Sequence, residues 1–413
     1  MNPISSEKQI TMERKALTIF EHEAVQSAIG IVRKRWRAIV GKQIPQEALG
    51  TRFEEMIKEY CFAYVLKAVN SDPGRPFVLR NCYGAPHQWF DEQIPGCRAG
   101  GGDNPDNDYS YFPIDGYSNY LLSGRVSSNP IVDAPITASG NVSQTMPTGG
   151  IDWSNVVVGE TGEFQVTIGP EPAGGRSNHL QTTLDSVCVF MRDCRSDWNQ
   201  IPNSYSIERL DGLLRPELND NQIATRASQY MIDSIPTMYW WLRVMDSLEA
   251  NTTPLVDIAS MGGLVSQQLS LLRLKIAEDE AFIIKTGMSD AKYHSVVLSD
   301  YWFRTFDYWN STSTLNNGQS MADGDGVRTY VVSHEDSGTQ NWLDTRGFKE
   351  LLVCVRWQGM TGSAVDAPWI SGELVKLDDL TEKLPDEVGR VAAIDRAGQF
   401  ECRREQFLRR FEV

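Results

Sequence analysis

The sequence predicts an α+β protein in which antiparallel, jelly-roll-like β-sandwich regions are joined to N-terminal and central helical segments. Three observations predict it. Apolar residues recur at helical spacing over residues 6–70, then the texture changes to short β-prone runs over about 77–205. Helical texture returns from about 206, and a second β-prone region follows from about 293. Strands are bunched rather than alternating with helices, which favours mainly antiparallel sheet over a parallel βαβ fold.

The N-terminal helices rest on Ile19, Val25, Ile29, Ile31, Val32 and Ile39, and on Phe53, Ile57, Tyr60, Phe62 and Val65 of a helix starting near Gln46. The breaker run SDPGRP (71–76) ends them. FVLR, YSYFPI, SNYLLSGRV, FQVTIG and SVCVFMR are the first strands, and the charge-poor stretch 126–160 reads as long loops. QIATRASQYMIDSIPTMYWWLRVMDSLE (222–249) reads as a helix interrupted near Pro236, and GGLVSQQLSLLRLKIAEDEAFIIKTG (262–287) as another. VVLSDYWFRTFDYW, VRTYVVSHE, ELLVCVRWQG and GELVKL complete the strands. A chain of 413 residues exceeds what one core usually serves. The expected division is 1–75 helical, 76–205 β-rich, 206–290 helical, 291–380 β-rich and 381–413 a helical tail.

Net charge is −15 and the sequence pI about 4.9. An acidic chain repels nucleic-acid phosphate and anionic lipid, so neither is an expected partner. No run of apolar residues is long enough to span a bilayer, and MNPISSEKQITMERK has no signal-peptide core. Seven scattered cysteines fit reduced thiols better than a disulfide frame, so the expected location is cytoplasmic. A homo-oligomer is an expectation resting on helix amphipathicity alone.

The stretch GGDNPDNDYSYFPIDG (101–116) raises a choice. Asp103, Asn104, Asp106, Asn107 and Asp108 offer oxygens to a cation, but the EF-hand spacing is missing. A phosphate cradle would not be acidic. The favoured reading is a structural turn whose Asn and Asp side chains bond nearby backbone, delivering Tyr109 and Tyr111 to one face of a strand and Ser110 to the other.

Two segments carry a family resemblance. GDNPDNDYSYFPIDGYSNYLLSGRV (102–126) resembles the N-P-D-x-x-Y, I-D-G, Y and G-R pattern of bacterial proteins with domains of unknown function 1214 and 1254. The region 307–359, with DGDGVRTYVVSHE, NWLDT and LLVCVRW, resembles the C-terminal signature of the 1214 domain. GEFQVTIGPEP and SIERLD are similar to segments of single-chain members. The resemblance spans roughly 75–380 and implies a jelly-roll-like β fold without implying a reaction.

No zinc spacing occurs among the five histidines, and no serine-hydrolase elbow or nucleotide fingerprint is present. Neither CRAGGGDN (97–104) nor GGL (262–264) has phosphate-loop spacing. The expectation is therefore no metal and no cofactor, with a small molecule as partner. His334, followed by Glu335 and Asp336, is the candidate acid or base. Arg356 lies in an apolar strand and needs an anionic partner, for which Asp307 and Asp115 are candidates. Tyr109, Tyr111, Trp302, Tyr308, Trp309, Asn341 and Trp342 are candidate ligand-binding residues, core packing or turn formation being the alternative for each. His87 in YGAPHQWF could face a ligand or simply pack. Two functional classes stay open. One is an enzyme of small-molecule metabolism, of lyase, isomerase or hydrolase type, working by acid–base chemistry on an apolar, aromatic or sugar-like ligand. The other is a non-catalytic carbohydrate- or ligand-binding protein. Convergence of Asp115, Arg356 and His334 in one pocket would favour the enzyme.

Overall fold

The structure, a computed structural model, describes residues 2–40, 44–100, 102–212, 216–256, 266–360 and 367–413. Gly101 and the GGL run at 262–264 lie outside the described residues.

Helices α1 (Glu7–Phe20), α2 (Glu23–Val40) and α3 (Thr51–Val69) open the chain. The first β region holds β1 (His87–Trp89), β2 (Glu92–Ile94), β3 (Asn107–Pro113), β4 (Tyr120–Arg125), β5 (Ile136–Ser139) and β6 (Pro147–Ile151). It continues with β7 (Glu163–Gly169), β8 (His179–Gln181), β9 (Cys188–Cys194) and β10 (Ser204–Arg209). Helices α4 (Asp220–Asp233) and α5 (Ile235–Asp246) follow, the first closed by an Asn219–Gln222 capping box, the second carrying Pro236 in its first turn. The second region holds β11 (Leu255–Val256), β12 (Gln267–Lys275), β13 (Glu280–Thr286), β14 (Tyr293–Ser299) and β15 (Thr314–Asn316). It ends with β16 (Arg328–Ser333), β17 (Trp342–Asp344), β18 (Glu350–Gln358) and β19 (Ile370–Lys376), before α6 (Leu380–Lys383) and α7 (Ala393–Arg409).

The class is α+β. Sheets β3-β9-β5-β6 and β10-β4-β7-β8 share one core, in which Phe112, Val189 and Met191 meet Tyr120, Leu122 and Val166. Sheets β11-β12-β18-β14-β15 and β17-β16-β13-β19 share another, built on Leu272, Val353, Val355 and Trp357 against Phe282, Ile284 and Val332. The result is two sandwich-like units. The pairings are antiparallel except β7 with β8 and β16 with β17.

Alternation then places a second apolar set on the outer faces. Tyr109 and Tyr111 of β3 and Phe190 of β9 join the core of the helical layer, while Phe112 turns into the sandwich. Leu352 and Cys354 of β18, with Leu269 and Leu271 of β12, pack under Trp241 and Met245 of α5. These strands are covered on both sides.

Three expectations are corrected. The segment 267–286 forms the consecutive strands β12 and β13, one in each sheet of the second unit, not a helix: its Leu-rich run is buried on both faces, so helix-prone residues are overridden by tertiary contact. The stretch 126–160 contains β5 and β6, short strands that low charge had concealed. Residues 300–309 are turns rather than strand, with Phe303 at a φ of 58°, so of VVLSDYWFRTFDYW only the part up to Ser299 is strand.

The acidic loop before β3 joins the two units. Asp106, fully buried, accepts hydrogen bonds from Trp198 Nε1 (2.6 Å) of the first unit and from Asn316 Nδ2 (2.8 Å) and Tyr293 OH (2.6 Å) of the second. Asp103 accepts from the backbone N–H and the hydroxyl of Thr305, and Asn104 donates to Tyr293 OH. Asp108 pairs with the buried Arg80. Gly318 packs against Ser196 across the same seam; a Cβ there would lie 2.2 Å from the Ser196 carbonyl oxygen. The loop is a structural turn in which Asn104 Oδ1 accepts from the Asp106 backbone N–H (3.1 Å), as expected, while its carboxylates find partners across the molecule.

Asp106→Ala leaves the buried Trp198 Nε1 and Asn316 Nδ2 unpaired and Tyr293 OH with Asn104 alone, so it should lose roughly 3 kcal/mol of unfolding free energy. The exposed control Glu160→Ala should stay within about 0.5 kcal/mol. Denaturant unfolding read by tryptophan fluorescence checks both.

Candidate functional site

The two outer sheet faces do not close on each other completely. A cavity of about 580 Å³ lies between them. Tyr109, Phe190 and Arg192 form its wall from the first unit; Leu269, Leu271, Val297, Cys354 and Arg356 form the opposite wall. Met238, Trp240 and Trp241 of α5 and the loop Ser143–Gln144–Thr145 complete it. The size, and walls that set apolar side chains beside polar ones such as Asn107, Gln144, Arg192 and Arg356, suit a small organic molecule.

Tyr109 stacks on Phe190, with ring centroids 5.4 Å apart, and Tyr83 meets both rings edge-on. Arg192 lies with its guanidinium 4.5 Å from the Phe190 ring centroid. Burial pulls its pKa below the ordinary arginine range, opposed by Tyr109 and Tyr83 and reinforced by Arg356. Asp103 reaches the cavity from the seam; burial pushes its carboxyl up to about 7, against the lowering influence of Arg98 and the Thr305 donors.

Among the described residues, several buried polar atoms of this lining have no hydrogen-bond partner: Arg356 Nη1, Asn107 Oδ1, and both Gln144 side-chain polar atoms. Buried polar groups are normally satisfied, so a cluster of exceptions marks a place where something else supplies the partner. Two of the lining residues, Gln144 (φ 61°) and Phe303 (φ 58°), hold left-handed backbone without being glycine. Such strain collects at functional sites.

Of the residues expected from sequence, the cavity brings together only Tyr109 and Arg356. Neither carboxylate expected to pair with Arg356 does so: Asp115 pairs with Arg209 (2.8 Å) and Asp307 with Arg98 (3.4 Å). His334 sits at the end of β16, with Nδ1 2.8 Å from Thr345 Oγ1 and Nε2 3.3 Å from the Ile276 carbonyl. Its neighbour Asp336 is occupied by Arg396. His334, Asp115 and Arg356 therefore lie apart, and the expected acid–base set does not form.

The remaining aromatics are structural. Tyr111 is buried in the helix-facing core, and Trp302 donates to the Ala48 carbonyl between Trp36 and Phe53. Tyr308 and Trp309 pack on Phe407 of α7. Trp342 donates to Ser333 Oγ under Arg396, and Asn341 binds both backbone groups of Met321. His87 packs flat on Phe411 beside Glu13. Sequence reading missed Arg192 and Gln144 as site residues and weighed Asn107 only as a cation ligand or turn former. Arg192 shared the signal that marked Arg356, an arginine inside an apolar strand; Gln144, in a Ser/Thr/Gly-rich stretch, carried none. Among the described residues no three His, Cys, Asp or Glu side chains are grouped to hold a metal ion.

No family model matches the chain, and no curated protein does. Among solved structures it is similar to an uncharacterised protein from Burkholderia cenocepacia: 21% identity, a TM-score of 0.69, and coverage of 88% of this chain and 99% of that one. It also matches the VPA0106 protein from Vibrio parahaemolyticus at 11% identity and a TM-score of 0.42, covering 78% of this chain and 99% of that one. The Burkholderia likeness shows that the fold recurs.

A carboxyl that holds its proton to about pH 7 when folded, but to about 4 when unfolded, favours the folded state less as pH rises through that window. Unfolding free energy measured from pH 4 to 8 should therefore fall less steeply in Asp103→Asn than in the wild type. Parallel pH profiles would contradict the assignment.

Proposed function

We propose that the chain binds a small organic molecule in the cavity between its two sandwich-like units. The observation that carries this reading is the convergence of unpartnered buried polar atoms from Arg356, Asn107 and Gln144 on one aromatic-walled space. Stacked Tyr109 and Phe190 on one side and Trp241 with Met238 on the other suit a flat or aliphatic body. Of the two classes open from sequence, ligand binding is the better supported, because His334, Asp115 and Asp307 are each engaged elsewhere. A catalytic reading keeps one support: Asp103 lines the cavity and burial pushes its carboxyl up to about 7, while both of its oxygens accept from Thr305.

The proposal carries the rest of the sequence reading with it. It takes the sandwiches as jelly-roll-like, the chain as kin to proteins with the 1214 domain, and its location as cytoplasmic on its cysteine usage. Self-association through the N-terminal helices belongs to it as well. Among the described residues no helix is long and apolar enough to cross a membrane.

Indole, a neutral flat probe, should raise the melting temperature by about 2 °C at roughly ten times its Kd. Leu271→Trp, which fills the cavity, should abolish the shift, while His334→Ala and Asp115→Asn should leave it unchanged. A shift that survives Leu271→Trp places binding elsewhere and removes the proposal.

A further inference from the structure

We propose that the ligand of this cavity is an organic anion, whose charged oxygens are received by Arg356 and Arg192. This rests on the cavity being a ligand site and adds the ligand's charge.

Arg356 projects from β18 and Arg192 from β9, so the two guanidiniums come from the opposing walls of one cavity. Each influences the surroundings of Tyr109, and Arg356 acts electrostatically on Arg192, so the two cations share a neighbourhood. Among the described residues neither forms an ion pair with a carboxylate. Arg356 Nη1 has no acceptor, and the hydrogen bond found for Arg192 is a 3.5 Å contact with Thr137 Oγ1.

A third cation lies behind the same wall. Lys67 is fully buried; its ammonium donates to Tyr83 OH (2.9 Å) and to the Val142 carbonyl (3.0 Å), again without a carboxylate. Cations that are half-buried, as Arg192 and Arg356 are, or fully buried, as Lys67 is, are costly without counter-ions, and arginine cannot escape by losing its proton at physiological pH. In a chain of net charge −15, carboxylates were available to pair with them. Asp103, the acidic residue of the lining, spends both oxygens on Thr305. A ligand carboxylate or phosphate satisfies the arginine fork in a way a neutral group cannot. Asn107 and Gln144 of the same lining also carry buried polar atoms without a hydrogen-bond partner.

The test is calorimetric titration with four probes on one body: phenylacetate, benzyl phosphate, phenylacetamide and phenethylamine. At least one of the two anions should bind tenfold or more tighter than the amide, and the amine should bind most weakly. Which anion leads separates carboxylate from phosphate recognition. Arg356→Met should bring the anion and amide affinities within about threefold of each other, chiefly by weakening the anion. Arg356→Lys should keep part of the preference, which guards against a misfolded methionine variant. Arg125→Met, exposed and outside the cavity, should change nothing. Amide binding as tight as the anions, or a preference that survives both Arg356→Met and Arg192→Met, overturns the inference and leaves the cavity as a neutral-ligand site. Binding of no probe, with the indole shift also absent, overturns the cavity reading and the inference together.

Discussion

A buried carboxylate lies at the centre of the seam that joins the two halves of this molecule. Asp106 has no exposure and accepts from a tryptophan of one sandwich-like unit and from an asparagine and a tyrosine of the other. Its three donors are neutral, so their charge-assisted bonds are what compensates the loss of water. Positive charge stands close by: Arg403 and Arg410, delivered by the C-terminal region, lie over the Trp198 ring at 4.5 and 4.6 Å. Arg410 donates to the Pro105 carbonyl, so the C-terminal segment closes over the same loop. The residues flanking Asp106 repeat the pattern, with Asp103 bound to Thr305 and Asp108 to Arg80.

The cavity follows from that joint. Once β3 is fixed by its entry loop, alternation aims Tyr109 outward from the first unit; antiparallel pairing sets Arg192 of β9 opposite it. On the other side, β18 pairs with β12 and β14, and the same alternation that buries Val353, Val355 and Trp357 turns Cys354 and Arg356 outward. The second unit therefore faces the first with a surface that is apolar except at chosen points. Helix α5 covers the apolar part and stops short of filling the space between. Fold and site are one consequence of period-two side-chain alternation in strands buried on both faces.

The same fact explains what could be read from sequence and what could not. The class, the N-terminal helices and the strands around YSYFPI, SVCVFMR and LLVCVRWQG were readable, because β-branched and aromatic runs between turn residues have few alternatives. The run LSLLRLK was not, since a strand buried on both faces loses its alternation and keeps only its leucines. Arg356 was readable as an anomaly, a charge in an apolar strand, though not its partners. Asp115 and Asp307 are close in character but bound to other arginines, a matter of three-dimensional placement. Gln144 became visible only through its backbone conformation and its missing hydrogen bonds.

The most direct test of the joint is hydrogen exchange, measured peptide by peptide, in Asp106→Asn. This variant keeps the shape and removes the charge and one acceptor oxygen. Faster exchange in both Asn107–Pro113 and Tyr293–Ser299, together with α5 over the cavity, is the predicted result, because one carboxylate serves both units. Faster exchange confined to the 103–108 loop, with both strands as protected as in the wild type, would contradict the account.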